Sequence, residues 1–277
     1  LFLLPPPAIM QGHFLDVFYV REGYPIGAMF GYKTDGLYQC RDFSDFYDAN
    51  GTFISDKAQQ KAIYDNIKGN NGQFTLREGV VSRGNAVEPG YLKLKKQGEG
   101  DVITSDDKVY LGSNEPKFFG GFTNRFSYKN VELSIFLQFS YGNKLFNTNH
   151  AMLRGYNNYN IEQQYYDNMW TIDRQNAPLH IYSDNIGRQT ATELQAEDAS
   201  YLKIKEISFS YRLPKKAMRH LGVKGAKVFV SGINLFTFTK YSWYDPEFSS
   251  TNPLTGGLDK YSYPTARTFN AGFSIDL

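Results

Sequence analysis

Hydrophobic and polar residues alternate along residues 118–141 more regularly than anywhere else in the chain. On the first arm, Phe122, Phe126 and Tyr128 alternate with polar residues. On the return arm, six apolar residues occupy every second position: Val131, Leu133, Ile135, Leu137, Phe139 and Tyr141. A period of two over about eleven residues per arm predicts a β-hairpin with one apolar and one polar face, turning at Lys129-Asn130. Phe136 is the clear exception on the polar face.

The same alternation predicts four further strands. They lie near residues 26–32, 201–213, 228–238 and 269–277. In the second of them the phase of Leu202 and Ile204 is opposite to that of Ile207 and Phe209, which predicts a bulge near Lys205-Glu206. The pattern therefore gives about six strands, the two arms of the hairpin included.

Three helices are also predicted. The first begins at Ser55 as N-cap and stops at Gly69. The second covers residues 160–170, with Asn160 and Gln163 in the relation of a capping box. The third runs from Pro214 to Leu221.

Two environments suit strands with one apolar face: a soluble sandwich, or a barrel in a membrane. Soluble strands usually have about five or six residues, whereas a tilted strand that crosses hydrocarbon needs about nine to eleven. Outer-membrane barrels also have tight inner turns and long outer loops. The long arms and the tight turn therefore favour the membrane barrel over the sandwich.

The lengths of the connections give the predicted organisation. Residues 1–33 form an N-terminal segment with a first barrel strand, and residues 34–117 form a long extracellular region. Residues 118–277 hold the C-terminal barrel strands, with outer loops 142–200 and 240–264. Six strands cannot close a membrane barrel, which needs about eight, and an open sheet would leave unpaired backbone groups in lipid. We therefore expect a fragment, beginning at Leu1 without Met, whose missing wall lies on other residues or on another chain.

Composition excludes several classes of protein. The formal net charge is +2 over 277 residues, and the basic residues are scattered among acidic ones, which argues against nucleic acid as a partner. No apolar run is long enough for a transmembrane helix, although alternating strands escape such a search. Aromatic residues make up 16% of the chain, which suits interfacial girdles, sugar-stacking surfaces, or simply strands built from aromatic residues.

Chemical motifs are scarce. The four histidines are widely separated, and none pairs with another His or with Cys40 at the spacing of metal ligands. Nucleophile elbows, phosphate loops and zinc signatures are absent from the sequence. We therefore do not expect an enzyme.

Several short motifs occur in a characteristic order. They are Gly23-Tyr24-Pro25-Ile26-Gly27, Asp35-Gly36-Leu37-Tyr38, Asp101-Val102-Ile103-Thr104-Ser105-Asp106-Asp107, Ala199-Ser200-Tyr201-Leu202-Lys203-Ile204-Lys205, Asn234-Leu235-Phe236-Thr237, Tyr244-Asp245-Pro246-Glu247 and Tyr263-Pro264-Thr265-Ala266-Arg267. Together they make the chain resemble the C-terminal part of the SusC/RagA-type TonB-dependent outer-membrane transporters of Bacteroidetes, over residues 23–277.

The resemblance implies a chain of the all-β class that supplies the C-terminal strands of a 22-stranded transmembrane β-barrel in the outer membrane. It implies TonB-driven import of oligosaccharides or peptides. The implied partners are the remaining N-terminal barrel and plug, a SusD-like surface lipoprotein, the TonB complex, and the surrounding lipid and lipopolysaccharide. The resemblance also implies a dimer of transporter–lipoprotein pairs as a further level of assembly.

A metal site is one interpretation of the acidic stretch at residues 96–107. Members of the family often carry an acidic calcium-type loop before the Val-Ile-Thr motif, and Ca²⁺ takes six to eight oxygen ligands. Here the candidate ligands are Glu99, Asp101, Asp106 and Asp107, but Lys96 stands where the first ligand would lie. A plain acidic turn is the alternative interpretation.

The outer loops hold the candidate ligand-binding residues. Aromatic rings near amide side chains suit contact with sugars or peptides, and these loops are rich in both. The candidates are Tyr156, Tyr159, Trp170, Trp243 and Tyr244. The alternative is that these rings pack the loops together or contact a lid protein.

The rival hypothesis for the whole chain is a secreted, soluble, β-rich carbohydrate-binding module. In that protein the apolar faces would be buried between two sheets, and no detergent would be needed to keep it dispersed. A passive porin without a plug is a second rival.

Overall fold

The computed structural model describes residues 17–153, 160–182, 184, 190–214, 216, 218, 222–248 and 252–276. Twelve strands and three helices are assigned there, and most residues in regular structure belong to strands. In chain order they are β1 (Ala28–Gly31), β2 (Thr34–Leu37), α1 (Lys57–Gly69), β3 (Leu92–Leu94), β4 (Val109–Ser113), β5 (Phe118–Tyr128), β6 (Val131–Tyr141), β7 (Lys144–Asn147), α2 (Asn149–Leu153), α3 (Gln163–Asn168), β8 (Ala196–Asp198), β9 (Tyr201–Arg212), β10 (Gly225–Thr239), β11 (Leu258–Asp259) and β12 (Thr268–Asp276).

The largest sheet has five antiparallel strands in the order β12-β10-β9-β6-β5. Its hairpin β5–β6 runs without interruption from Phe118 opposite Tyr141 to Tyr128 opposite Val131. Each arm has 11 residues, as the alternation predicted. Lys129 takes a left-handed conformation (φ 51°) in the two-residue turn, so the predicted position of the turn is confirmed.

One face of this sheet is mainly apolar. Directly paired residues of antiparallel strands point to the same side of a sheet. One row across the sheet consists of Leu133, Phe209, Val230 and Ala271. The rows on either side are also apolar, apart from Asn124 at the β5 edge. Many of these side chains are exposed, including Phe126, Phe209, Val230 and Phe273. Within the described residues, therefore, this apolar face has no second layer packed on it.

The opposite face of the sheet is mainly polar. Its central row contains Arg125, Ser134, Ser208, Ser231 and Asn270. Arg125 pairs with Glu132 at 3.2 Å on this side. The aromatic exception, Phe136, lies against Gly121 of the neighbouring strand, where a Cβ atom would meet its ring at 2.7 Å. The ring thus occupies space left free by a missing side chain.

Two bulges interrupt the sheet. In β9 the residues that pair with Phe136 and Leu137 are Glu206 and Ile204, so Lys205 is the extra residue and the predicted bulge is confirmed. In β10 the register shifts between Ile233 and Phe236, and Asn234 there has φ 56°. The first bulge returns Leu202 and Ile204 to the apolar face despite their opposite phase in the sequence.

The predicted first strand of the wall does not join this sheet. Residues 28–31 form β1, which pairs with β4 in a separate two-stranded sheet. Five strands, rather than six, therefore make up the large sheet within the described residues. All four residues of β1 are buried, which shows why its short alternation did not distinguish a wall strand from a core strand.

The predicted helices are only partly reproduced. The first is α1, but Asp56 rather than Ser55 caps it, by accepting from the backbone N–H of Gln59 at 2.8 Å. The second is reduced to α3, whose N-cap Glu162 makes no side-chain capping bond. Much of the third, Pro214 to Leu221, lies outside the described residues. No helix among the described residues is long and apolar enough to cross a membrane.

A separate aromatic core lies in residues 37–92 and 165–181, beyond the large sheet. Tyr64 of α1 packs near Phe74 and Trp170. Phe43 and Phe46 are fully buried beside them. An ion pair joins this core to the chain near residue 184: Arg83 Nη1 donates to both Asp184 carboxylate oxygens at 3.1 and 3.2 Å. The long connections are therefore folded structures with their own core.

Gly90 is a critical contact in this aromatic core. Its φ is +89°, and a Cβ there would lie 2.4 Å from the Trp170 ring. We expect Gly90→Ala to destabilise the core by about 3 kcal/mol, because it adds left-handed backbone strain to overpacking. Gly79→Ala is the matched control, since Gly79 has φ +76° and nothing within 4 Å of the added Cβ.

The readout is hydrogen exchange of the α1 amides in the full-length protein. Exchange should become much faster in Gly90→Ala than in Gly79→Ala. Equal exchange in the two variants would contradict the contact between Gly90 and Trp170.

Candidate functional site

The predicted metal ligands are not brought together. Only Asp107 of the four is buried, whereas Glu99, Asp101 and Asp106 are exposed. Within the described part of the chain, no three His, Cys, Asp or Glu side chains lie close enough to hold a metal ion. The acidic stretch forms a turn, which is the alternative interpretation given above.

An ammonium group of the chain itself binds the buried carboxylate. Lys96 Nζ lies 2.9 Å from Asp107 Oδ2, and the backbone N–H groups of Gln97 and Thr104 donate to Asp107 at 2.9 and 2.7 Å. Although burial by itself would raise the pKa of Asp107, the two backbone N–H donors and the Lys96 ammonium outweigh it and lower that pKa below its usual range. The residue that displaces the expected first ligand therefore supplies the positive charge.

The aromatic residues proposed to bind ligand differ in their exposure. Trp170 is fully buried in the aromatic core, so the expectation that it contacts ligand is wrong, and it packs the loops together instead. Tyr156 and Tyr159 lie outside the described residues. Tyr244 is 64% exposed, and Trp243 is half-buried beneath it with ring centroids 4.7 Å apart.

His150 connects this aromatic pair to a chain of hydrogen bonds. Its ring meets the Trp243 ring edge-on at 5.4 Å. Its Nδ1 lies 2.8 Å from Glu162 Oε1, and its Nε2 lies 3.0 Å from Ser242 Oγ. These hydrogen bonds join α2, the residue before α3 and the loop after β10. Sequence analysis missed this role, because no spacing in the sequence relates residues 92 positions apart.

A cavity of about 260 Å³ with both polar and apolar walls opens beside these hydrogen bonds. Its polar lining residues come from five separate segments: Asn147, His150, Gln164, His180, Gln195, Glu197 and Ser242. Amide, imidazole and hydroxyl groups converge there from the two long connections, residues 142–200 and 240–264. The cavity is suited to a small polar group of a ligand.

The serine in this cavity is not arranged as a nucleophile. A Ser–His–Glu chain activates serine when the hydroxyl proton passes to the imidazole. Here the hydroxyl and the backbone N–H of Ser242 both donate to the carboxylate of Glu197, at 2.8 and 2.9 Å. A negative charge so close to Oγ would destabilise an oxyanion instead of stabilising it. The arrangement fixes the loops and offers polar groups for binding.

A charged cluster attaches the same loop to the polar face of the sheet. Lys203 of β9, 2% exposed, lies 2.7 Å from both Asp245 and Glu247. Lys205 also pairs with Glu247, at 2.8 Å, and the Thr265 hydroxyl donates to Asp245. Although burial opposes it, Lys203 with these neighbours lowers the pKa of both carboxyls. Tyr244 is therefore carried on a loop fixed just beside it.

This chain is similar to parts of larger receptors and of an importer. The chain is 29% identical over 273 residues to the TonB-dependent receptor P3 of Formosa agariphila, which covers 95% of this chain and 24% of the receptor. It is 25% identical over 255 residues to the TonB-dependent receptor SusC of Bacteroides thetaiotaomicron, covering 85% of this chain and 22% of SusC. No family model matches the chain.

A solved structure shows the same fold. The RagAB peptide importer in its open-open state superposes with a TM-score of 0.65 and 18% identity, over 100% of this chain and 24% of the importer chain. This likeness supports the predicted β-rich fold class. The chain spans about a quarter of the length of each of these relatives.

Lys96→Met tests the ammonium beside Asp107. Removing that ammonium leaves a buried carboxylate with fewer partners, which costs about 1–3 kcal/mol. We therefore expect the Gln97 and Thr104 amides to exchange hydrogen roughly tenfold faster or more in the full-length protein. Lys95→Met, on an exposed neighbour, should leave exchange unchanged.

Calcium and pH complete this test. Neither added Ca²⁺ nor a chelator should alter the exchange, whereas slower exchange in Ca²⁺ would restore the metal interpretation. Because the folded pKa of Asp107 is depressed, its stabilisation is fully present above the unfolded pKa of about 3.9. It should be lost as the pH falls below that value towards the folded pKa.

Proposed function

The SusC/RagA-type TonB-dependent transporters are the proteins to which this chain is related, as its motifs predicted, and on that premise we propose that it forms part of the wall and outer loops of an outer-membrane nutrient importer. The relatives are named as receptors and an importer, and none as an enzyme.

The apolar face of the five-stranded sheet carries this proposal. Its strands have 9 to 15 residues, enough for a tilted strand to cross the hydrocarbon layer. Tyr128 and Tyr211 lie near the end of this face with the tight turn, and the rings of Phe118 and Tyr141 stack 4.9 Å apart at the other end. Aromatic residues at both ends of an apolar band are typical of a membrane-spanning wall.

The edges of the sheet support a larger barrel. Within the described residues, β5 and β12 each pair with one neighbouring strand only. An unpaired strand edge in lipid would cost several kcal/mol for each free backbone group. We therefore propose that strands beyond this chain, in a 22-stranded barrel around a plug, continue both edges.

The loops are assigned to ligand capture at the cell surface. The RagAB importer is described as a peptide importer, and oligosaccharides or peptides are the proposed cargo here. Trp243 and Tyr244, together with Tyr156 and Tyr159, would contact this cargo. A SusD-like lipoprotein would close over the loops, and TonB acting on the plug would release the cargo into the lumen. Lipid and lipopolysaccharide would surround the apolar face, and two transporter–lipoprotein pairs would form the dimer.

The soluble rival requires a second layer over the apolar face. The clusters of buried hydrophobic residues among the described residues all lie within the connections, away from that face. Lysine substitutions on the two faces of one strand therefore distinguish the membrane wall from the soluble binding module.

Ile207→Lys and Ser208→Lys make this comparison, because they are neighbours on a strand paired on both sides. Lysine on the lipid face near mid-membrane costs about 2–4 kcal/mol, whereas lysine on the polar face meets water. We expect Ile207→Lys to reduce heat-modifiable, folded protein in the outer-membrane fraction severalfold, and Ser208→Lys to leave it unchanged. Protein that stays dispersed without detergent, or equal assembly of both variants, would contradict the membrane wall.

Tyr244→Ala tests the loop assignment. Loss of an exposed ring that stacks on cargo should weaken retention about two- to tenfold, since aromatic contacts are worth about 0.5–1.5 kcal/mol. The measurement is the cargo that co-purifies with the full-length transporter, identified and quantified by mass spectrometry. Tyr244→Phe keeps the ring and should retain the cargo. Unchanged cargo in Tyr244→Ala would remove this residue from the binding surface.

A further inference from the structure

A depression of about 410 Å³ interrupts the apolar face of the large sheet. Its centre is Gly232 of β10, which pairs with Ile207 on one side and with Phe269 on the other. Ala271 lies two residues further along β12, opposite Val230. The other large side chains around the depression are Phe209 and Leu235.

Small residues at the centre and large ones at the rim give this depression its shape. Gly232 is buried although it has no side chain, whereas Phe269 beside it is 76% exposed. A Cβ at Gly232 would lie 2.6 Å from the end of the Leu235 side chain. The other positions of these two rows carry branched or aromatic apolar side chains, apart from Asn124 on the edge strand β5. The groove is therefore local to β9, β10 and β12 and is not a general property of the face.

A cationic residue precedes the strand that forms one side of the groove. Arg267 is exposed and comes two residues before Phe269. The segment that carries it is fixed, because Asn234 Nδ2 in the β10 bulge donates to the Ala266 carbonyl at 3.0 Å. This end of the sheet is the one from which the long loops leave, so the charge would lie at the outer surface of the proposed wall.

We propose that this groove is a lipid site, which holds one acyl chain of a phosphate-bearing lipid of the outer leaflet, with the lipid phosphate at Arg267. The inference rests on the proposed membrane wall and adds a fixed site to a face that otherwise contacts lipid without preference. An acyl chain fits the apolar rim, because each buried methylene contributes favourably to binding. The guanidinium accounts for the phosphate, which it binds through paired N–H donors.

The occupant is a lipid rather than a second copy of the chain for two reasons. A groove that is small at its centre, at Gly232 and Ala271, and walled by larger apolar side chains accepts a narrow acyl chain. A protein interface of ordinary size needs a much larger complementary surface. The single positive charge of Arg267 suits an anionic lipid head group. In a symmetric contact between two copies of the chain, the two Arg267 side chains would repel each other.

The test uses the full-length transporter purified in mild detergent and depleted of lipid. Phosphatidylglycerol or diacylglycerol with the same acyl chains is then titrated in, and bound lipid is counted by native mass spectrometry. Wild type should retain one tightly bound phosphatidylglycerol per chain. Diacylglycerol, which lacks the phosphate, should bind about fivefold more weakly, as expected for one cationic contact to an anionic lipid.

Three variants separate the parts of the site. Ala271→Phe fills the groove and should lower retention about tenfold or more, because several methylene contacts are lost. Val228→Phe adds the same ring to the same face outside the groove and should leave retention unchanged. Arg267→Gln should weaken phosphatidylglycerol about fivefold without affecting diacylglycerol, and Arg267→Lys should restore part of the difference.

The outcomes distinguish this inference from the proposed function. Equal lipid retention by wild type and Ala271→Phe, or no retained lipid in wild type, would overturn the lipid site. The proposed membrane wall would still stand if the same protein needed detergent and assembled in the membrane. Protein that needs no detergent would overturn both. Because Arg267 is exposed and packs no core, Arg267→Gln keeps the test valid if Ala271→Phe fails to assemble.

Discussion

The constraint on which the structure depends is that a wall strand must pair its backbone sideways while it presents different chemistry on its two faces. Antiparallel pairing satisfies the N–H and C=O groups of the inner strands outside the two bulges, and lipid offers no such partners. The side chains are then free to divide, with residues such as Leu133 and Phe209 on one side and Ser134 and Ser208 on the other. The bulge at Lys205 preserves that division where the sequence changes phase. A polar face and an apolar face follow from one repeated geometry.

The long connections solve a different problem. They are too long to be simple turns, and their own backbone needs a packed interior. An aromatic core around Trp170 supplies part of it, and buried ion pairs supply fixed points: Arg83 with Asp184, and Lys96 with Asp107. A buried pair of this kind adds little net stability by itself, but its rupture leaves an uncompensated charge, so it selects one arrangement of the loops.

The proposed function depends on the junction between the large sheet and the long connections. Lys203 belongs to the large sheet, and its partners Asp245 and Glu247 belong to the loop that carries Trp243 and Tyr244. The loop proposed to contact ligand is thereby anchored to the polar face, which in the proposed barrel lines the path of the cargo. The fixed lipid proposed at Gly232 would lie on the other face of the same strands. Capture, passage and anchorage in the membrane would then share one sheet.

The sequence by itself determined the local features. The period of two gave the hairpin with its turn at Lys129, the phase change gave the bulge at Lys205, and the order of motifs gave the family resemblance. These signals are local, because side-chain direction in a strand depends only on position along it. Only the tertiary structure decided that β1 pairs with β4, that Trp170 is buried, and that Lys96 replaces a cation at Asp107. It also decided that Lys203 meets Asp245, 42 residues away, and that His150 meets Ser242, 92 residues away. Contacts of that kind depend on how separate elements pack, and a local sequence pattern does not specify which distant residues will meet.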